Sequence, residues 1–451
     1  MSDQHPSRTP SLPPAKHAVG CLFVGVGIAT LLVLVVVLSF VVWRAGGSRQ
    51  VEALKAAVRA RGEPLTPEDL AAAYYAIPEG RENTTAMWRD ALAVLDSAAF
   101  KQDAKDLPVV GTGQAKIPAR GQPWPEQAAV EALLDKYQAG VRGLHAAAAR
   151  GGAVRFDRQF DRGIAMLLED VTQLRSGARI LILEAHVRAH RGDAQGVADS
   201  LHTLNQLPRT LEHDPVLVSL LVRIAIGGLS SQLCRELLPQ VEFSDADLRR
   251  LAEDYRTLRY HAGLRRAMLG ERVFGLLAFE HPEALGGELP PGFVWNRDED
   301  LALYLDLMEQ AVAAAQQPFP QAQQELRAVS NRVASMTQGR FSRFRYARTV
   351  LLMPALEATV PAAARGDAEN EAALTAIAIE QYRRQHGRWP DRLEQLVPEC
   401  LPQLPVDPFD GRTLRYVVQA DRYLLYSVGQ DGVDNGGQGE YEPDVVMPVK
   451  R

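Results

Sequence analysis

Apolar residues follow three different regimes along this chain. From residue 18 to 43, the run AVGCLFVGVGIATLLVLVVVLSFVVW carries no charge. From about residue 50 to 365, apolar positions recur every three or four residues, the spacing of one helix face. Beyond that, one more amphipathic helix gives way to alternation and turn signals, the pattern of a small hairpin. The first run predicts a membrane span. At about 1.5 Å per residue it exceeds a bilayer core of about 30 Å. It is longer than the apolar core of about 7–15 residues in a cleaved signal peptide. It ends in Trp43 and Arg44, and Trp43 suits an interfacial anchor.

The middle regime reads as helices with recognisable punctuation. Thr66 is placed as an N-cap, with Pro67 at the first helical position and Asp69 three residues after the cap. Pro78 and Gly80 end that helix. Residues 105 to 124 read as a loop, and 125 to 152 as one helix closed by glycines. Leu167, Val171, Leu174, Ala178, Leu181 and Ala185 form a stripe that Gly192 stops. Asp193 caps the next helix, whose stripe is Val197, Leu201 and Leu204, ended by Pro208. The pair predicts an αα-hairpin without a clean period of about 34 residues. The apolar stretch from Asp214 is too short for a span and carries Arg223, so it predicts a buried core helix. Ser244 with Asp247 opens a single long helix to Glu280. Residues 298 to 316 and roughly 320 to 360 are again helical in pattern.

In the last regime Asp367 is placed as an N-cap. Leu374, Ile377, Ala378 and Tyr382 line one face, and Gly387 stops the helix. A short helix follows with Leu393, Leu396 and Val397. VDPFDG reads as a turn, and TLRYVV and YLLYSV as strands joined by QADR. The fold expectation is a mainly α protein: an N-terminal transmembrane helix, a helical ectodomain of αα-hairpins and a small C-terminal α+β domain. The boundaries are 1–17 for a Pro-rich disordered cytoplasmic tail, 18–43 for the anchor, 44–365 for the helical ectodomain and 366–451 for the last domain.

Composition narrows the chemistry. With 451 residues, a net charge of −5 and 23% charged residues, the chain lacks the basic balance of a nucleic-acid protein. Cys21 lies in the apolar run. Cys234 and Cys400 are isolated, which excludes a CxxC zinc site and favours two unpaired thiols over one bridge. Arg8 and Lys16 precede the span and Arg44 and Arg49 follow it, so basic residues alone give no orientation. His186 and His190 are four apart on a helix, but their Arg-rich surroundings disfavour a metal. The segment RFSRFRYAR, 340 to 348, reads as a packing face with arginine stems over apolar surface, and as lipid contact second. There is no GxSxG and no P-loop. Glu169 and Asp170 are adjacent, so they point in different directions on a helix.

One loop stands out. After the strand ending at Val428 come Asp431, Asp434, Asn435, Glu440, Glu442 and Asp444, interleaved with Gly432, Gly436, Gly437 and Gly439. Calcium takes about six to eight hard oxygens, carbonyls included. An EF-hand reading fails, because Val433 stands at the third ligand position and a strand precedes the loop.

The run ALTAIAIEQYRRQHGRWP, then LPVDPFDGRTLRYVV, then YLLYSVGQDGVDNGG resembles the globular part of the major, G-type pseudopilin of type II secretion systems. The matching positions are Tyr382, Gly387 and Trp389-Pro390, then Pro405 to Phe409, then Tyr426 to Gly432. The resemblance covers about 80 residues, less than a fifth of the chain. It implies a calcium loop with Asp431 as a side-chain ligand. Asp434, Glu440 and Asp444 are candidates for the rest, with carbonyls near Leu425 and Val428. The acidic pattern after Gly432 departs from the family loop. The span lacks the prepilin peptidase site and the early Glu of a pseudopilin, so a filament subunit is not expected. The segment GEPLTPEDL to IPEGRENTTAMWRDAL resembles the opening of bacterial membrane-anchored proteins that end in the same small domain. Pseudopilin globular domains work outside the cytoplasm. The resemblance therefore implies a single-pass protein of the bacterial inner membrane with its bulk outside, where calcium is plentiful. The leading expectation is a non-catalytic envelope protein with a calcium-stabilised C-terminal domain that meets envelope or secretion partners. The alternatives are an envelope hydrolase with acids in a helical cleft, and a helical-repeat adaptor.

Overall fold

A computed structural model of the chain describes residues 31–35, 46–281, 297–339, 342, 345–353, 356–419 and 422–437, and the backbone of 445–450. Of the apolar run 18–43, the described residues 31–35 are helical with exposed side chains. The rest of that run and the tail 1–17 lie outside the described residues.

The protein is mainly helical with a small antiparallel sheet near its C-terminus. Helix α1 covers 46–60. Helix α2, Pro67–Tyr75, opens with the capping box expected of Thr66 and Asp69. Then come α3 (Thr85–Leu95), α4 (Ala98–Asp103), α5 (Gln127–Lys136) and α6 (Gln138–Arg150). The stretch read as one helix is thus broken at Tyr137, whose φ of −104° and ψ of 19° leave the helical well. Tyr137 turns its ring onto Phe100 at 5.0 Å and its hydroxyl onto Asp103 at 2.6 Å, and these contacts fix the bend.

The hairpin α7 (Glu169–Arg191) and α8 (Ala194–Thr210) forms as its pattern predicts. Gly192 takes φ 75°, a left-handed value that favours glycine, and the Asp193 carboxylate accepts the Gly196 N–H at 2.9 Å. Pro208 lies inside the last turn of α8 rather than ending it. Helix α9, Leu217–Leu237, is long and apolar enough to cross a membrane, but most of it is buried inside the protein, as a core helix requires. The expected long helix after Ser244 is two: α10 (Asp245–Thr257) and α11 (His261–Glu280). Helices α12 (Arg297–Ala314), α13 (Phe319–Gln338) and α14 (Ala347–Leu352) follow.

Helix α15, Thr359–His386, organises the whole. Its 28 residues span about 42 Å. Val360, Ala364 and Ala368 pack with α1, α11, α12 and α13 in one apolar cluster. Leu374, Ile377 and Tyr382 pack with α3, α7, α8 and α10 in another. The expected helix start at Gly366 and Asp367 is therefore overturned: both residues lie inside α15. Gly366 is small because the Tyr260 ring crosses there; a Cβ would sit 2.9 Å from Tyr260 Cδ2. Asp367 caps a different helix. Its carboxylate accepts the main-chain N–H groups of Tyr260 at 2.7 Å and His261 at 3.0 Å, at the start of α11. A central helix touching α9, α10, α11 and α13 is unlike a solenoid, where each repeat meets only its neighbours.

The sheet has the order β1 (Arg415–Val418), β2 (Arg422–Ser427), β3 (Val445–Lys450), all antiparallel. The first two are the expected hairpin, with Arg415 opposite Tyr426. The third strand was not foreseen. It carries Pro448, which an edge strand tolerates. Tyr423 and Leu425 of β2 are buried in the same cluster as Leu374 and Ile377, so the sheet rests on the helical body.

Candidate functional site

The turn before β1 and the loop after β2 meet at one buried carboxylate. Asp407 has no exposed surface. Its oxygens accept the Phe409 N–H at 3.0 Å, the Ser427 hydroxyl at 2.8 Å and the Val428 N–H at 2.9 Å. They also take the Arg415 guanidinium at 3.2 Å. Arg415 bonds Asp410 as well, and its Nε stands 3.6 Å from Asp434 Oδ2. One guanidinium therefore sits among three carboxylates, a role that neither the turn motif nor the strand pattern announced.

The named calcium-loop residues fall into three groups. Asp431 is exposed, and its Oδ1 accepts the Val433 N–H at 3.0 Å. Asp434 accepts the Gly436 N–H and the Tyr426 hydroxyl, each at 3.0 Å. The Gly436 bond leads in holding the Asp434 carboxyl below the usual range, with Tyr426 and Arg415 adding to it. It is thus kept ionised, as a cation ligand must be. Leu425 lies in the central strand, opposite Tyr416 and Met447, where its main-chain groups serve the ladder. Val428 gives its N–H to Asp407. Glu440 and Asp444 lie outside the described residues. Among the described residues, no group of three acids, histidines or cysteines is close enough to hold a metal. The described part of the loop thus supplies two carboxylates, Asp431 and Asp434, short of the about six to eight oxygens that calcium takes.

The other sequence candidates have packing roles. His186 is buried, 3.7 Å from a Glu236 oxygen. Burial pushes its imidazole down to about 4, so it is neutral near pH 7. It lines a pocket of about 650 Å³ with Ile117, Ile182, Leu229 and Glu236. His190 stacks near Trp124 and bonds the Pro118 carbonyl at 3.1 Å, so the two histidines do not converge. Of RFSRFRYAR, Arg345 pairs with Glu299, and Arg348 is buried with its guanidinium 5.4 Å from the Phe279 ring centre. Arg340, Phe341, Arg343 and Phe344 lie outside the described residues. Cys234 and Cys400 are both free thiols.

Two buried polar clusters were invisible in the sequence because their members are far apart in it. Arg158 bonds Asp170 at 2.7 and 2.8 Å and the fully buried Asp214 at 2.9 Å. Glu184 accepts from Arg188 at 2.6 Å and from the Ser200 hydroxyl at 2.9 Å, and lies 2.8 Å from His145 Nε2. A second cavity, polar and lined by arginines, lies between the loops after α2 and α6 and the end of α8. No protein-family model, no curated protein and no solved structure matches the chain.

Proposed function

We propose that the protein is a non-catalytic, single-pass protein of the bacterial inner membrane, anchored by residues 18–43. Its helical ectodomain and pseudopilin-like C-terminal part lie outside the cytoplasm and serve protein interaction in secretion or envelope assembly. Calcium would be held by Asp431 and Asp434, with Glu440 and Asp444 completing the set, and would brace the loop against the sheet. The supporting observation is the state of the buried acids. The carboxylates with less than a tenth of their surface exposed among the described residues are fastened to partners, while Glu271, at the Leu217 N–H, is held by one weak bond of 3.4 Å. Asp214 is held by Arg158, Asp254 by His202 and Gln206, and Asp300 by Thr349 and main-chain N–H groups. Asp247 closes the Ser244 cap, and Glu184 and Asp407 are tied as described. A hydrolase of the glycosidase type needs two carboxyl groups facing each other across a groove. Acids locked this way favour binding over hydrolysis.

The test is topological. Spheroplasts of cells expressing the full chain are treated with an externally added protease. Digestion of the ectodomain with the membrane intact is the expected result. Full protection until detergent is added would overturn the envelope placement.

A further inference from the structure

The polar cavity has a volume of about 730 Å³ and is lined by Arg81, Arg150, Arg155, Arg209 and His213. The acids on its wall are Glu82 and Glu212. Arg150 is paired with Glu82, Nε to Oε2 at 2.6 Å. That leaves Glu212 against three guanidinium groups. A fourth joins from behind, because Arg266 donates to the Glu212 main-chain carbonyl.

Arg209 alone among these cations reaches a carboxylate, that of Asp254, and only at 4.0 Å. Arg155 is buried and bonds only carbonyls: those of Tyr74, Val154 at 2.8 Å and Ala76 at 3.2 Å. Arg209 bonds the Asp254 carbonyl at 3.1 Å and the Thr257 hydroxyl. Its nearest carboxylate oxygen, on Asp254, is 4.0 Å away and already takes the Gln206 amide at 2.9 Å. Arg223, 3% exposed, lies over the Tyr260 ring at 5.3 Å, and its Nε has no acceptor. Among the described residues, no carboxylate comes within ion-pair distance of Arg81, Arg155, Arg223 or Arg266. The resulting field acts on the neighbours. Burial, then Arg155 and Arg266, hold His213 below the usual imidazole range. Burial, then Arg223, does the same to the Arg266 guanidinium.

We propose that this cleft binds a phosphate-type oxyanion. Four guanidinium groups around one exposed carboxylate leave an excess of charge that a dianion offsets. Arginine forks match the oxygens of phosphate in paired hydrogen bonds. The volume lies within the range of about 300–1,000 Å³ usual for small-ligand sites. The charged lining suits a polar ligand, so the phosphate is carried by a small soluble molecule or by a lipid headgroup. The site is independent of the envelope reading and of the C-terminal loop.

The test is calorimetric titration of the full chain in non-ionic detergent, with inorganic pyrophosphate in one arm and short-chain phosphatidic acid in the other. Saturable one-site binding is expected in at least one arm. Pyrophosphate binding assigns a soluble ligand, and lipid binding alone assigns a headgroup. Arg81 is exposed and has no ion-pair partner among the described residues, so Arg81→Glu leaves the fold intact. It weakens binding about tenfold or more, the loss of one charge-assisted hydrogen bond. Glu212→Gln removes the opposing acid and tightens binding. Arg392→Glu, an exposed charge in the C-terminal part, changes nothing. Silence in both arms, or affinities unchanged by Arg81→Glu and Glu212→Gln, would overturn the proposal.

Discussion

Asp407→Ala removes the carboxylate on which the C-terminal part turns. Four contacts go at once: two main-chain N–H groups, the Ser427 hydroxyl and the Arg415 guanidinium. Three of the four donors lie in buried surroundings and find no water in exchange. Breaking a buried, hydrogen-bonded charge pair by deleting one member costs about 3–5 kcal/mol. Asp407→Asn keeps one acceptor oxygen and points an amide N–H₂ at groups that also donate, so it costs about 2–3 kcal/mol. Urea denaturation of the full chain, followed by far-ultraviolet circular dichroism, reads both values as shifts in midpoint at constant slope. The same Asp407 contacts hold Ser427 and Val428, the entry to the acidic loop, so either variant also loosens Asp431. Losses below about 1 kcal/mol for both variants would refute the reasoning. The turn would then be held by apolar packing, chiefly Phe409 on Phe319 at 4.6 Å between ring centres.

Two further outcomes are expected. Calcium at about a hundred times its dissociation constant adds about 2.7 kcal/mol to a fold that alone binds it. The melting temperature of the full chain then rises with calcium, falls with chelator, and Asp431→Ala abolishes the difference; superimposable curves would remove calcium from the account. The full chain is needed because a fragment from residue 366 would remove the first two turns of α15 and strip its partners. Glu271 gives a pH signature: burial pushes its carboxyl up to about 7, against a weak bond from the Leu217 N–H at 3.4 Å. The folded state then holds a proton that the unfolded state releases near pH 4.5, so this group's contribution falls as pH rises from about 4.5 to 7. The difference between wild type and Glu271→Gln should grow by at most about 3 kcal/mol over that window, and a difference independent of pH would contradict it.

Local signals in the sequence were read correctly where the deciding residues are neighbours. The capping boxes at Thr66 and Ser244, the Gly192 stop, and the pairing of β1 with β2 all depend on groups close together in the chain. The errors arose where a distant partner decided. Tyr137 breaks a helix because Phe100 and Asp103 draw it aside. Asp367 has the composition of an N-cap, yet serves the start of α11, more than a hundred residues upstream. The acidic loop was visible as composition. The guanidinium of Arg415 beside Asp434 was not, because it comes from the opposite strand. The arginine cleft had no signal at all, since its members are spread from Arg81 to Arg266 and share no spacing.

The cap that Asp367 supplies has a consequence for synthesis. Asn370 extends it by donating to the Tyr255 carbonyl at 2.6 Å and the Leu258 carbonyl at 3.2 Å, so α15 closes the exposed polar ends of both α10 and α11. A ribosome emits those helices long before α15, so their junction waits open while about a hundred residues are added at about 5–20 per second. A chain released early has no substitute for the missing helix, because the apolar faces of α8, α9 and α10 remain uncovered. A chain that stops before residue 367 therefore lacks the groups that close the α10–α11 junction, and its exposed apolar surface is of the kind that chaperones and proteases meet.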